Sequence, residues 1–449
     1  MSLKEKVIKK TPMFVQSSAI SLFNTYQYKV RHGGEYKKFR EYYAKVEGFT
    51  ASQLDKEVKK KQKSFFKYVK RKSAWYNKLN TRDLTKNVPL EKQDIINDFD
   101  RIKTIKEKNG IVSLTGGTTG ASMKVVYTKK DMQERFAILD HFRAQHGYRL
   151  GKKTAWFSGK NLISENDIQN NICSHYDFIN KIRFYSTFHI NQDSFHVYWQ
   201  SLVKFQPEFI VGFPSSVYEL CEIADSLGLQ LLTPVKVFFP TAETVLPKYR
   251  EVIERVLGCQ LVDQYASSEG APFILECTHG RLHIHPLTGV FEVVDEHLQP
   301  AQSGELLVTS YTTHGTPLIR YRIGDRITLA DTQDTCTCGS IFPLVKSIEG
   351  RTSDYILSPT HGKVNLGNIS NSTKNIAGII QFQVIQKELE RVNVLVVAGP
   401  AFVAKEQSKF KKNLAERFGP QLEIHLQVVN EIPKEKSGKF RFVKNSLKI

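Results

Sequence analysis

From Ile111 onward the chain alternates short apolar runs with amphipathic stretches, and no other feature restricts the fold as much. The segments "GIVSL", "KVVYT", "KTAWFS", "EFIVGF", "VKVFFP" and "QLVDQY" read as short buried strands. Between them, "SSVYELCEIADSLG" and "LPKYREVIERVLG" carry helical spacing. Strands alternating with helices predict an α/β architecture of mixed sheets and helices. From Gly289 to Leu329, "FEVVDE", "GELLVTS" and "PLIRYRIGDRITL" are mainly β, with turns at "QPAQSG" and "THGTP". After "IEGRTSDYI" a compact α+β tail follows, which places a boundary near Gly350: a large domain over 1–350 and a small one over 351–449. Up to about Arg101 the chain is rich in Lys, Tyr and Phe at helical spacing, which predicts a basic helical region.

A chain of 449 residues with 41% hydrophobic content can bury a large core in more than one domain. Its net charge is +19, from 64 Lys+Arg against 45 Asp+Glu, which suits an anionic partner such as nucleic acid, nucleotide or an acidic membrane surface, though much of that charge is only a solvated surface. The lysine runs of the N-terminal region make either a solvated helix face or a place for peripheral docking on anionic lipid or a partner. No nucleic acid is expected. The best apolar run, "VLVVAGPAFVA", is interrupted at Gly399-Pro400 and falls short of the roughly 18 residues a membrane helix needs. "MFVQSSAISLF" is interrupted by Gln16, Ser17 and Ser18 and reads as part of the mature chain. The expected location is cytoplasmic, with the inner face of the membrane as the docking surface. Six cysteines in so long a chain suggest reduced thiols or metal ligands rather than a disulfide framework. Cys173, Cys221 and Cys259 lie in apolar contexts and are expected in the core.

Four segments carry chemistry. "SLTGGTTGASMK", Ser113 to Lys124, offers backbone N–H groups and hydroxyls that can wrap a phosphate, but it lacks the Gly-Lys-Ser/Thr ending of a P-loop. "DQYASSEG" sets Glu269 after a strand end, with the flat ring of Tyr265 and the hydroxyls of Ser267 and Ser268 close by in the chain. A carboxylate there can hold Mg²⁺ together with a substrate phosphate. "RYRIGD" sets Asp325 in a turn after a strand, able to accept hydrogen bonds from ribose. "PKEKSGKFRF" carries Lys439, a positive charge suited to a phosphate under attack. Taken singly, each of these is also an ordinary turn, cap or surface residue.

In their order along the chain these segments resemble the adenylate-forming superfamily of acyl-CoA synthetases and adenylation domains, and within it the phenylacetate-CoA ligase-like branch. The resemblance runs from about Ile111 to Lys439. It rests on "TGGTTG", "TAET", "YASSEG", "GELLVTS", "RYRIGD", "EGR" and "KEKSGK". "FYSTFHIN", "PEFIVGFPSSVYEL" and the basic N-terminal region with "RHGGEYKKF" are most similar to members associated with capsule and other surface-polysaccharide gene clusters. The resemblance implies an enzyme that activates a carboxylate with ATP as an acyl-adenylate and passes it to a thiol or amine. Thr115, Gly116, Gly117, Thr118, Thr119 and Gly120 would grip the ATP phosphates, with Ala242, Glu243, Ser267 and Ser268 also in the nucleotide site. Tyr265 would stack on adenine, Glu269 would hold Mg²⁺, and Asp325 would bind ribose. Arg322 and Arg351 would contact the nucleotide or the hinge. Lys439, on a mobile small domain, would bridge the carboxylate and α-phosphate. Phe188, His189 and Phe213 would line the carboxylate pocket.

Two positions depart from the family pattern. Ala266 stands where glycine is common, and Ser353, followed by Asp354, stands where the hinge carboxylate is expected; the latter bears on whether CoA is the acceptor. The cysteines add a metal hypothesis: Cys336 and Cys338 in "CTCG", with Cys277 and His283 in "CTHGRLHIHP", supply three thiolates and an imidazole for a tetrahedral zinc. His279 or His285 are alternatives to His283, and plain buried thiols are the other reading. Some members of the branch carry such a structural zinc. The function expected first is a ligase joining a small-molecule carboxylate to an amine or thiol during surface-polysaccharide assembly, and the second an aryl- or acyl-CoA ligase. A basic scaffold without activity, bound to a membrane surface or nucleic acid, is the alternative of another class.

Overall fold

The computed structural model describes residues 13–114, 123–158, 163–351, 355–360, 362–366, 369, 371–373, 375–435 and 440–447. The basic N-terminal region is helical at Met13–His32, Tyr36–Val46 and Ala51–Lys72. The last of these is capped by Thr50 and turns Leu54, Phe65, Phe66 and Val69 inward, leaving most of its lysines in solvent.

Strands β1 (Ile111–Leu114) and β2 (Lys124–Tyr127) pair antiparallel. Then β3 (Thr154–Ser158), β4 (Ser174–Asp177), β5 (Ile182–Ser186), β6 (Phe209–Gly212), β7 (Val237–Pro240) and β8 (Gln260–Leu261) build a six-stranded sheet in the order β4-β5-β3-β6-β7-β8. All its neighbours are parallel except β4 and β5. Every residue of β6 and β7 is buried, which is why these strands read as unbroken apolar runs.

A seven-stranded sheet follows from β9 (Gln264–Tyr265), β10 (Ile274–Glu276), β11 (Leu282–Ile284), β12 (Gly289–Val294), β13 (Ser303–Ser310), β14 (Tyr321–Leu329) and β15 (Leu344–Arg351), in the order β12-β13-β14-β15-β11-β10-β9. The run "QLVDQY", expected as one strand, divides between β8 and β9 in different sheets. The Asp263 carboxylate takes the N–H of Gln264 at 2.8 Å, and the N–H of Asp263 goes to Glu276 at 2.7 Å, so the ladder is interrupted there. The tail holds the pair β16 (Tyr355–Ser358) and β17 (Gly362–Asn365). It also holds a four-stranded sheet of β18 (Ile379–Glu388), β19 (Arg391–Ala398), β20 (Glu423–Val429) and β21 (Val443–Asn445), in the order β20-β19-β18-β21.

The chain forms two compact units. One comprises Met1–Ser21, Gly151–Val262 and Glu349–Ile449, the other Leu22–Leu150 and Asp263–Ile348. The first has a core that includes Phe157, Ile210, Leu220, Phe238 and Ile253 together with Val384, Val394, Phe410 and Phe418. The second centres on Phe65, Phe66, Val69, Leu306, Tyr311 and Ile327. Cys173, Cys221 and Cys259 are buried, as expected. Among the described residues no helix is long and apolar enough to cross a membrane.

Candidate active site

In the six-stranded sheet the chain leaves β3, builds β4 and β5 on one side of it, then returns to β6 on the other. Such a reversal opens a crevice at the carboxyl ends of the strands, where open α/β sheets bind ligands. Phe188 and His189 follow β5, Phe213 follows β6, and Ala242 and Glu243 follow β7, so five of the expected site residues gather at this edge. His189 donates from Nε2 to the Ile163 carbonyl at 2.9 Å, which fixes its ring. Phe213 is buried and precedes the helix Pro214–Ser226. Ala242 adopts φ +67°, a left-handed conformation uncommon for alanine and found at functional turns. Glu243 accepts the Ser215 N–H at 3.1 Å, in the first turn of that helix, and the Phe440 N–H at 2.9 Å.

Two charged residues at this edge escaped the sequence analysis. Lys434 donates to Glu219 at 2.9 Å and to the Thr187 carbonyl at 2.5 Å. Burial raises the Glu219 carboxyl above the ordinary range, and the Lys434 ammonium pulls against that shift. Glu219 stands between Tyr218 and Leu220 in a helix with ten buried residues, itself among them, and that apolar setting was the available signal. Its partner lies 215 positions away and could not be read from the sequence.

The other unit carries the remaining described candidates. The Tyr265 hydroxyl donates to Asp325 at 2.7 Å. Asp325 lies within β14 rather than in a turn after it. Against β13 the register runs from Arg322 opposite Leu307 to Arg326 opposite Glu305, so four steps on β14 face two on β13. The surplus is a bulge, made possible by Gly324 at φ +81°, and bulges re-aim side chains beside functional sites. Arg322 is held by two carboxylates, Glu91 at 2.9 Å and Glu305. The Ser267 hydroxyl closes its own turn by accepting the N–H groups of Gly270 and Ala271. Buried Arg135 clamps the carbonyls of Gly270 and Ala271 at 3.1 and 2.9 Å, and Tyr127 donates to the Ser268 carbonyl at 2.8 Å. The turn carrying Glu269 is thus fixed by two residues that no motif indicated. Ser268 donates to Glu269 at 3.3 Å.

Cys277, His283, Cys336 and Cys338 converge in this unit, their ligand atoms all within 4.8 Å of one another. The Cys277 and Cys336 sulfurs are 3.7 Å apart, far beyond a disulfide bond. Bonds of about 2.3 Å to a tetrahedral zinc place two sulfurs about 3.8 Å apart. His283 donates from Nδ1 to the Phe342 carbonyl at 3.1 Å, which turns Nε2 toward Cys338 at 3.5 Å. Burial lowers the His283 pKa, favouring the neutral form that binds metal. His285 instead packs its ring between Tyr43 and Phe342. Thr115 to Gly120, Ser353, Asp354 and Lys439 lie outside the described residues, as does the side chain of Arg351.

Residues 356–446 match the CapK C-terminal domain. Protein CapK of Staphylococcus aureus is 32% identical over 399 residues, covering 86% of this chain and 87% of that one. Indoleacetate--lysine synthetase of Pseudomonas savastanoi is 25% identical over 259 residues, 56% of this chain and 61% of that one. The crystal structure of 2-hydroxyisobutyryl-CoA ligase in the postadenylation state, in complex with R3-HIB-AMP, superposes with a TM-score of 0.71 at 16% identity, over 89% of this chain and 91% of that one. The fold and the motif order define an adenylate-forming enzyme of the phenylacetate-CoA ligase-like branch. Within that branch the chain belongs to the CapK family.

Proposed function

We propose that in this enzyme a small-molecule carboxylate attacks the α-phosphorus of ATP, breaking the α–β phosphoanhydride bond to give an acyl-adenylate and pyrophosphate, and that an amine or thiol then attacks the acyl carbon, losing a proton and releasing AMP, in surface-polysaccharide assembly. The observation that carries the nucleotide part is the Tyr265–Asp325 hydrogen bond on a bulged strand, which pairs an aromatic face with a carboxylate suited to ribose hydroxyls. Thr115 to Gly120 grip the phosphates, Glu269 holds Mg²⁺ and Lys439 neutralises charge on the α-phosphate as the carboxylate attacks. Phe188, His189 and Phe213 face the carboxylate. Residues 1–350 act as the large domain and 351–449 as the small one. Cys277, His283, Cys336 and Cys338 hold a structural zinc. The polysaccharide setting follows the likeness to members tied to capsule gene clusters. An amine acceptor is favoured by a relative whose name pairs indoleacetate with lysine.

The test is ATP–pyrophosphate exchange with Mg²⁺ across aryl acids, fatty acids, amino acids and uronic-acid sugars. Exchange with one class, lost in Lys439→Ala while transfer from a supplied adenylate persists, is the expected result. Absence of exchange in protein that does not bind ATP overturns the proposal. Acyl transfer to CoA alone moves the assignment to an acyl-CoA ligase.

A further inference from the structure

The four residues "TAET" after β7 join the six-stranded sheet to the C-terminal tail within the first unit. Thr241 donates its N–H to the Gly212 carbonyl at 2.8 Å, tying the joint to the end of β6. Ala242 reverses the chain in its left-handed conformation. Glu243 then receives two backbone N–H groups, from Ser215 in the first helical turn and from Phe440 in the C-terminal tail. Thr244 stands beside Gly350, at φ +86°, where an added Cβ would lie 2.8 Å from the threonine Oγ1.

The two bonds to Glu243 suit a carboxylate and not its amide. Both oxygens of an ionised carboxylate accept, and each faces one N–H donor. A glutamine there would satisfy one N–H and confront the other with its own NH₂ group. The first-turn N–H of a helix also prefers a negative partner. Phe440 is anchored further by its neighbours: its ring is buried, the N–H of Val384 donates to the Phe442 carbonyl at 2.9 Å, and β21 continues along β18. Upstream, Lys434 is held by Glu219 and Thr187. The chain on both sides of 436–439 is thus tied to the carboxyl edge of the six-stranded sheet.

We infer that Glu243 is a positioning residue for the C-terminal lysine motif rather than a ligand of the nucleotide. It acts by fixing Phe440, the residue next to Lys439 in the sequence. The inference rests on the proposed role of Lys439, and it deepens that role by naming what sets the lysine's register.

The experiment compares wild type with Glu243→Gln and Glu243→Ala, using melting temperature as the folding control. Amide exchange of a peptide containing Phe440 reads the tie without reference to activity, and it should quicken about tenfold or more in both variants. Pyrophosphate exchange should fall about 10- to 100-fold, with ATP affinity and transfer from a supplied adenylate within about twofold of wild type. Unchanged exchange at Phe440, or ATP affinity falling in step with the rate, overturns the inference. Absence of pyrophosphate exchange in the wild type removes the carboxylate-activation reading instead, and Phe440 exchange then decides the tie by itself.

Discussion

The Tyr265 hydroxyl donates to Asp325 across 60 positions of sequence, at 2.7 Å, joining β9 to the bulge of β14. The bond holds the Asp325 carboxylate beside the Tyr265 ring. If Asp325 receives ribose, Asp325→Ala should raise the KM for ATP about 10- to 100-fold, since hydrogen bonds to charged groups contribute about 1.5–3 kcal/mol. Tyr265→Phe keeps the ring and should raise KM only about 3- to 10-fold. Pyrophosphate exchange against ATP concentration reads both, and an unchanged KM in Asp325→Ala removes the nucleotide role.

Lys434 and Glu219 are both buried, their side chains 6% and 7% exposed. Removing one partner leaves an uncompensated charge, so Lys434→Ala or Glu219→Ala should each cost about 3–5 kcal/mol. Lys434→Met with Glu219→Leu should recover most of that loss, because apolar packing can replace a buried pair. Urea unfolding of the three variants provides the comparison; a double variant as unstable as the sum of the singles would contradict it.

The Cys277, His283, Cys336 and Cys338 cluster should bring down close to one zinc per chain on purification without chelator. Cys336→Ser should remove the metal and lower the melting temperature by roughly 5–10 °C. Metal analysis showing under about half an equivalent would exclude the site.

Asp131 caps the helix Lys129–Gln145, accepting from Thr128 at 3.0 Å, and it pairs with His314 Nδ1 at 2.6 Å. Burial acts to raise its pKa, but the hydrogen bonds and charge of His314, with those of Thr128, hold it below the ordinary 3.8. A depressed carboxylate pKa adds stability that is present above the unfolded value and lost as pH falls through the folded one. Asp131→Asn should therefore cost about 1–3 kcal/mol at pH 7. Its deficit against wild type should shrink only below about pH 4. Denaturant titrations at pH 7, 5 and 3.5 measure this, and a deficit independent of pH would show that the charge is not the stabilising element.

Much of the fold was legible because local pattern and burial agree. The unbroken apolar runs "EFIVGF" and "VKVFFP" became fully buried parallel strands, and the lysine-rich N-terminal region became helices with solvated faces. "QLVDQY" divides between two sheets because Asp263 competes for a backbone N–H group, a side-chain effect that hydrophobic spacing does not carry. Asp325 lies within a strand rather than a turn for a related reason: a bulge depends on the partner strand, and β13 lies outside the "RYRIGD" motif.

The sequence by itself determined which chemical groups are available: the Gly-rich segment, the carboxylates at 243, 269 and 325, the terminal lysine motif, and three thiols with three candidate imidazoles. It could do so because residue type and local spacing set donor, acceptor and ligand character. Only the tertiary structure decided which groups meet. It chose His283 over His285 for the cysteine cluster, paired Glu219 with Lys434, and turned Glu243 toward two backbone N–H groups. Those choices depend on bringing positions up to 215 residues apart into contact, which follows from the packing of strand edges and helix ends and from no local pattern.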